Sequence, residues 1–186
     1  MSLVREHYED RASWLQGRSK RGIGSSDAAA IVGMSPYMSV RDLYEIKTGM
    51  KKTPDVSSDE FVAQGVRVEP ALRALYQANH PEVKIEYYPF DLLYQEERPW
   101  LFATLDGEII REDGSRAILE IKTSTPKGKE GWKKWDGQIL GNYYCQLLHQ
   151  MWASGFDAAV LYAGLYSSDG SMTVREYTVD RSEVSG

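Results

Sequence analysis

The sequence has little sulfur and little imidazole: one cysteine, Cys145, and three histidines, His7, His80 and His149. A lone cysteine cannot form a disulfide within the chain, and it excludes zinc sites that are built on cysteine pairs. With only three histidines, the chain also has few ligands for a zinc hydrolase site. Function therefore has to be sought in other side chains.

Long apolar runs, repeats and linkers are absent as well. No stretch approaches the roughly 18 uninterrupted apolar residues of a membrane span, and residues 1–10 are polar, unlike a signal peptide. We therefore expect a cytoplasmic protein that does not contact a membrane. With no internal repeat and no Pro/Gly/Ser-rich linker, 186 residues predict a single domain over residues 1–186.

The net charge of −5 argues against a protein that coats DNA, but the charge is unevenly distributed. Residues 53–120 hold 14 of the 27 acidic residues and 6 of the 22 basic ones. Such a concentration of carboxylates is what a divalent-metal site requires. Basic residues cluster at 18–21 and 122–134, although most clusters of this kind are simply solvated surface.

Hydrophobic periodicity predicts a mixed α/β (α+β) protein with a helix across one face of a central sheet. The predicted helices cover residues 8–16, 26–32, 39–47, 59–79 and 142–152, and Pro70 would kink the longest of them. The predicted strands cover residues 83–88, 90–94, 101–110, 117–123, 158–166 and 172–179, with a turn or bulge at Asp106-Gly107.

The sharpest chemical feature is Asp106, which precedes Glu120-Ile121-Lys122 by fourteen residues. Side chains alternate along a strand, so Glu120 and Lys122 share one face and Ile121 points into the core. If the strand before it pairs with this one, Asp106 lies beside Glu120. The two carboxylates and the Ile121 backbone carbonyl would then form an oxygen-only site suited to Mg²⁺.

In that arrangement Lys122 would orient and polarise an attacking water. A surface strand with alternating Glu and Lys is the simpler interpretation. The apolar residues 117–119 and Ile121 instead favour a largely buried strand, and buried charges need partners or a metal.

Five motifs in order span residues 14–150, and together they resemble the PD-(D/E)xK nucleases, within them the lambda-exonuclease or YqaJ-like viral recombinase group. The resemblance implies that group's fold, a central mixed sheet flanked by helices. The motifs are Trp14-Leu15 with Arg18 and Gly22-Ile23-Gly24-Ser25-Ser26-Asp27; Gly65-Val66-Arg67-Val68-Glu69; Asp106-Gly107; Glu120-Ile121-Lys122; and Tyr143-Tyr144-Cys145-Gln146.

The resemblance implies roles for five side chains. Asp106 and Glu120, with the Ile121 carbonyl, would hold Mg²⁺, for which Mn²⁺ should substitute. Glu69 would add a third carboxylate, for a second ion or only for water. Lys122 would position the attacking water, and Gln146 would fix that lysine or that water. His149 and Gln150, by contrast, are expected to be packing or surface residues.

The Gly22–Asp27 segment is a poor Rossmann or Walker loop, because no strand precedes it and no Gly-Lys-Ser/Thr follows. The resemblance implies that it catches a 5′-terminal phosphate through Ser25 and Ser26. Arg18 and Arg21 are rival candidates for the accompanying cation. An ordinary Ser/Asp helix cap would explain the same serine and aspartate without a ligand.

A basic segment with interleaved aromatic residues follows the Glu-x-Lys strand, and this composition suits a loop that meets a DNA backbone. The two tryptophans could instead pack against a neighbouring subunit. The residues are Lys127, Lys129, Lys133 and Lys134, with Trp132 and Trp135.

As an activity, the resemblance implies a Mg²⁺-dependent 5′-to-3′ exonuclease that degrades linear double-stranded DNA. The product would be a 3′ single strand for a single-strand annealing protein in phage-type homologous recombination. It also implies a ring-shaped homotrimer, with basic groups toward the DNA, and a phage or prophage protein in a bacterial host.

Three alternatives remain open. A related endonuclease would share the fold, although the Cas4-like version with a four-cysteine iron–sulfur site is excluded by the single cysteine. A non-catalytic DNA-end-binding module would keep the fold without the chemistry. A nucleotide-binding protein would use the Gly22–Asp27 loop.

Overall fold

The structure is a computed structural model that describes residues 2–54 and 58–184. Its helices are α1 (Arg11–Arg21), α2 (Ala28–Ile31), α3 (Val40–Lys47), α4 (Glu60–Asn79), α5 (Gly128–Lys133), α6 (Gly141–Ser154) and α7 (Arg181–Val184), with a 3-10 helix at Ser25–Asp27. Its strands are β1 (Leu3–His7), β2 (Lys84–Glu86), β3 (Asp91–Gln95), β4 (Phe102–Ala103), β5 (Gly107–Ile110), β6 (Arg116–Ser124), β7 (Ala158–Tyr166) and β8 (Met172–Asp180).

Contacts divide the chain into two compact units. The first consists of Met1–Pro54, Tyr88–Leu105 and Gly141–Phe156, and the second of Asp55–Tyr87, Asp106–Leu140 and Asp157–Gly186.

The first unit contains a three-stranded antiparallel sheet in the order β1-β3-β4. The buried Asp91 carboxylate in β3 joins the first two strands, because Arg5 donates to it at 3.0 Å and His7 Nδ1 lies 2.7 Å from it. Two such partners offset the free-energy cost of removing the buried carboxylate from water. Helices α1, α2, α3 and α6 complete this unit.

The second unit is a five-stranded mixed sheet in the order β2-β5-β6-β7-β8, in which only β6 and β7 run parallel. Helix α4 lies across one face of it. Leu72 and Tyr76 of α4 pack on Leu119, Ile121 and Tyr162 of the sheet. Each such buried side chain contributes roughly 1.5–3 kcal/mol, so the helix is held mainly by its apolar stripe.

Local sequence explains where α4 begins. The Asp59 carboxylate caps it, accepting hydrogen bonds from the Phe61 and Val62 amides at 2.8 and 3.2 Å. The helix continues through Pro70 to Asn79. Gly65 lies close to β6, since an added Cβ would be 3.3 Å from Thr123 Oγ1.

The predicted fold class is confirmed: the chain has a central mixed sheet with a helix across its face. Among the described residues, no helix has both the length and the hydrophobicity needed to cross a bilayer.

Two local expectations are wrong, and one strand was not predicted. The first helix runs over Arg11–Arg21 rather than residues 8–16, because Asp10 caps it by accepting from the Ser13 amide at 2.8 Å. Residues before the cap are free to form β1, which the polar sequence did not indicate. The predicted strand 101–110 is two strands, β4 and β5, which belong to different sheets.

His80 generates a prediction about stability. Its ring stacks on Tyr76 at 4.3 Å and lies between two carboxylates, with Nδ1 3.2 Å from Glu82 and Nε2 3.0 Å from Glu176. Partial burial lowers the pKa of His80, but the hydrogen bonds to Glu176 and Glu82 outweigh it and raise the pKa above the ordinary histidine value. The protonated ring therefore stabilises the folded state at acid pH, and this contribution is lost as pH rises through the folded-state pKa.

We expect His80→Gln to lower the free energy of unfolding by about 0.5 kcal/mol near pH 5.5 and by less near pH 8.5. Denaturant titration of wild type and variant at both pH values measures the difference. Glu176→Gln should show the same pH trend. A difference that does not change with pH would contradict this account.

Candidate active site

Strands β5 and β6 bring Asp106 and Glu120 together. They pair antiparallel with Gly107 opposite Leu119, so the same register places Asp106 opposite Glu120. The Ile121 amide donates a hydrogen bond of 2.8 Å to Asp106 Oδ2. The aspartate side chain is thus fixed against the strand that carries the glutamate.

Glu120 is a charged residue in a buried strand. Its exposed fraction is 2%, and its Oε1 accepts a hydrogen bond from Lys122 Nζ. Ile121 between them belongs to the apolar core on the opposite face. Strand alternation thereby places one carboxylate and one ammonium side by side, with the lysine the more accessible of the two.

Glu69 contributes the third carboxylate from α4. It pairs with Arg73 one turn later, and Arg73 Nε donates a hydrogen bond of 2.5 Å to the Asp106 backbone carbonyl. The Arg73 guanidinium also lies 3.7 Å from the centre of the Tyr87 ring. Arg73 therefore ties the helix to the residue that begins the site.

Sequence reasoning missed Arg73. The available signal was its spacing from Glu69, because an acid and a base four residues apart on a helix face each other. That spacing is common on helix surfaces, and only the fold shows that this arginine also contacts the Asp106 backbone.

Electrostatic crowding perturbs two of the three carboxylates. Loss of hydration, followed by the nearby charges of Glu120 and Glu69, raises the pKa of Asp106 well above its usual range, against the opposing effects of Lys122 and the Ile121 amide. Burial likewise raises the pKa of Glu69, with Arg73 opposing it and Glu120 adding to it. Negative charge is therefore costly here in the absence of a cation.

The donor set fits a hard divalent cation. Carboxylate oxygens from Asp106, Glu120 and Glu69, with a backbone carbonyl such as that of Ile121, are the ligands that Mg²⁺ and Mn²⁺ prefer. Within the described part of the chain, no three His, Cys, Asp or Glu side chains are already grouped as metal ligands. Glu69 and Glu120 are instead held by Arg73 and Lys122.

The Gly22–Asp27 segment belongs to the first unit. The Ile23 amide donates to the Trp100 carbonyl at 2.8 Å, and the Phe102 amide donates to the Ile23 carbonyl at 3.1 Å. Gly22 has φ +135°, and a Cβ there would be 2.4 Å from the Trp100 carbonyl oxygen. Glycine is required at this position for close backbone approach.

Lys47 of α3 fixes the same segment from the side. Its Nζ donates to the Gly22 carbonyl at 2.6 Å and forms an ion pair of 2.7 Å with Asp27. Asp27 also accepts from the Gly24 amide at 2.9 Å. The aspartate thus has structural contacts in this segment, although its side chain does not cap α2.

Ser25 and Ser26 differ in environment. Ser25 is buried, and its Oγ has no hydrogen-bond partner among the residues that the structure describes, whereas Ser26 is exposed. A buried hydroxyl without a partner is uncommon and indicates either a small cost in stability or a missing ligand.

The two rival arginines also differ. Arg21 forms an ion pair with Glu6, and its guanidinium lies 4.2 Å from the centre of the Tyr94 ring. Arg18 stacks over Trp14 at 4.5 Å. Both arginines therefore have contacts within the chain, and both remain candidates for the cation that accompanies a ligand.

Helix α6 carries Gln146 in the first unit, and its predicted role stays a prediction. His149 and Gln150 of the same helix are buried packing residues, as expected. His149 Nε2 lies 3.0 Å from the Phe102 carbonyl oxygen, and Gln150 Nε2 donates to the Thr104 carbonyl at 3.1 Å.

The basic segment after β6 contains α5, which the sequence did not indicate. The four lysines of the segment are exposed. Trp135 is buried instead, with its ring 6.5 Å from that of Tyr177, so the expectation that it contacts DNA is wrong. Trp132, by contrast, lines an accessible cleft.

Comparison with known proteins identifies the chain's relatives. The family model of the YqaJ-like viral recombinase domain matches residues 13–157. The uncharacterized protein YqaJ of Bacillus subtilis (strain 168) is 28% identical over 153 residues, which are 82% of this chain and 45% of that protein. The chain thus spans less than half the length of this relative.

Two solved structures share the fold. An alkaline exonuclease (LHK-Exo) from Laribacter hongkongensis matches with a TM-score of 0.64 and 17% identity, over 94% of this chain and 85% of that one. A phage related exonuclease from Haemophilus somnus 129PT matches with a TM-score of 0.57 and 13% identity, over 90% and 87%. Since the family model covers most of its length, the chain belongs to the YqaJ-like viral recombinase domain family.

Proposed function

We propose that the chain is a Mg²⁺-dependent 5′-to-3′ exonuclease that degrades linear double-stranded DNA and leaves 3′ single-stranded overhangs. The observation that carries this proposal is the cluster of Asp106, Glu120 and Lys122 on paired strands, with Glu69 near enough to perturb it. Family membership and the two exonucleases with the same fold support a nuclease role.

The residues of the cluster divide the chemistry between them. Asp106, Glu120 and the Ile121 carbonyl would hold the cation, and Glu69 would serve a second ion or only water. When bound, Mg²⁺ supplies positive charge to the phosphodiester and makes an attacking water more acidic. Lys122 donates a hydrogen bond that orients this water and stabilises its hydroxide form. Gln146 keeps the auxiliary role that the family resemblance gives it.

The 5′ phosphate is assigned to the Gly22–Asp27 segment. Ser25 offers a buried hydroxyl with no partner among the described residues, Ser26 offers a second, exposed hydroxyl, and Arg18 or Arg21 supplies the cation. Charge-assisted hydrogen bonds to a phosphate would satisfy the Ser25 hydroxyl.

The wider assignments follow the family resemblance. We propose a homotrimer that encloses DNA, with basic groups toward the duplex and acidic groups outside, which reconciles the net charge of −5 with a DNA substrate. A single-strand annealing protein would receive the product, in the cytoplasm of a bacterial host of a phage or prophage.

The deciding experiment is digestion of duplex DNA with Mg²⁺, comparing 5′-phosphorylated ends, 5′-hydroxyl ends and a closed circle. We expect the phosphorylated linear duplex to shorten from its 5′ ends while the circle survives. Lys122→Ala should lower the rate at least about 100-fold, because it removes a group that acts on the attacking water. Lys84→Ala, the matched control at an exposed position of β2, should retain wild-type activity.

Two results would redirect the assignment. Nicking of the closed circle would make the protein an endonuclease of the same fold. DNA binding without cleavage, at any divalent cation tested, would favour the end-binding module.

Metal binding can be tested by thermal unfolding, without any measurement of nuclease activity. We expect Mg²⁺ to raise the Tm of the wild type relative to EDTA, because a ligand that binds only the folded state stabilises it, at about 2–4 °C per kcal/mol of binding free energy. Asp106→Asn should lose this shift without a lower Tm in EDTA, since asparagine still accepts from the Ile121 amide and removes one of three neighbouring carboxylates. Asp113→Asn, at an exposed turn, serves as the control and should keep the shift. Equal shifts in wild type and Asp106→Asn would refute the metal assignment.

The phosphate assignment rests on a variant that separates binding from stability. Ser25→Ala should keep or slightly raise Tm, because its buried hydroxyl has no partner to lose. It should also reduce the rate ratio between phosphorylated and hydroxyl ends about tenfold, the effect of one hydrogen bond to a charged group. Arg18→Gln or Arg21→Gln should reduce the same ratio, and Ser19→Ala on α1 should not. An unchanged ratio in Ser25→Ala would remove this segment from the site.

A further inference from the structure

The second unit contains a basic cleft that the proposed reaction does not use. Its volume is about 570 Å³, and it is lined by Gly128, Lys129, Trp132, Lys133, Asp136 and Arg175. Such a volume is in the range of pockets that bind small organic ligands. Three cations and one carboxylate surround a single indole.

The fold assembles this cleft from two separate parts of the chain. Lys129 and Lys133 are one turn apart on α5, so they extend from the same side of the helix. Arg175 comes from β8, two residues before Tyr177. The Tyr177 hydroxyl donates to the Trp135 carbonyl just after α5, and the two rings lie 6.5 Å apart.

This connection has a geometric consequence. Residues 175 and 177 point to the same face of β8, so the contact that anchors Tyr177 to Trp135 also brings Arg175 beside α5. The buried Trp135 fixes the segment, which leaves the half-buried Trp132 to line the cleft.

The cations of the cleft are not neutralised. Among the described residues, neither Lys129, Lys133 nor Arg175 has an acidic side chain at ion-pair distance. Asp136 is the one acidic side chain that lines the cleft, and its backbone amide bonds the Lys133 carbonyl. Three unpaired cations around an aromatic side chain indicate an anionic ligand that has an aromatic part.

The sheet register relates this cleft to the candidate active site. Lys122 pairs with Ala163 of β7, and Ala163 pairs with Arg175 of β8. Lys122 and Arg175 therefore lie on the same face of the sheet, two strands apart, a separation of roughly 10 Å. That distance is about the rise of three stacked nucleotides.

We propose that this cleft binds single-stranded DNA, with one base stacked on Trp132 and the flanking phosphates on Lys129, Lys133 and Arg175. Single-strand sites combine aromatic side chains with a positively charged groove in this way. Inside a duplex the bases are stacked and paired, so they are not available to the indole. That the strand is the one left by digestion rests on the proposed function; the binding site itself does not.

The test uses the full chain carrying Lys122→Ala, in EDTA, so that no DNA is degraded. A short fluorescein-labelled oligothymidylate and a labelled duplex of equal length are titrated by fluorescence anisotropy at several salt concentrations. We expect Lys129→Gln with Lys133→Gln to weaken oligothymidylate binding about tenfold and to reduce the salt slope by about 1.4, since each phosphate contact with a single strand contributes about 0.7. Lys52→Gln with Lys84→Gln is the matched control, because it makes the same charge change at two exposed lysines outside the cleft.

Stacking is tested at the indole. Trp132→Leu should weaken oligothymidylate binding about tenfold, Trp132→Phe should restore most of it, and duplex binding should change little in either variant. Thermal unfolding of each variant shows that it is folded. Equal losses in the cleft and control pairs, or a Trp132→Leu variant with unchanged affinity, would overturn the proposal.

The two proposals can fail separately. Wild-type protein that cuts no DNA, but binds oligothymidylate through the cleft, would leave the cleft assignment standing without the nuclease. If digestion proceeds while every cleft variant binds oligothymidylate like wild type, the nuclease assignment stands and the cleft assignment fails.

Discussion

The second unit keeps three carboxylates close together although their charges repel. Asp106 and Glu120 meet because their strands pair antiparallel with Gly107 opposite Leu119, and Glu69 approaches because α4 is held to the sheet by apolar packing. Arg73 and Lys122 offset the repulsion through ion pairs. Strand pairing and apolar packing therefore set most of the geometry of the site, and the hydrogen bond from Arg73 to the Asp106 carbonyl adds to them.

The strand register of this unit also determines where Arg175 lies. The same alternation that puts Ile121 in the core and Lys122 on the opposite face also places Arg175 on the face of Lys122. One sheet surface thus carries both the candidate catalytic lysine and an arginine of the basic cleft. No loop rearrangement is needed to bring them to the same side.

The sequence predicts what depends on periodicity. The long helix, the strand with Glu120 and the last two strands appear within a residue or two of their expected bounds, because each has a strong apolar pattern. It could not predict β1, whose polar residues are accommodated by a distant partner, Asp91. Nor could it show that Arg21 has a structural partner in Glu6 or that Arg73 contacts Asp106, since ion pairs depend on tertiary structure.

The two units are interleaved along the chain. The path passes from one to the other five times, and the parallel pairing of β6 with β7 requires a long connection that includes α6 of the first unit. No single cut of the chain therefore separates the two units. Each unit is assembled from segments that are separated by intervening sequence, so non-local contacts must form during folding, and such contacts slow folding.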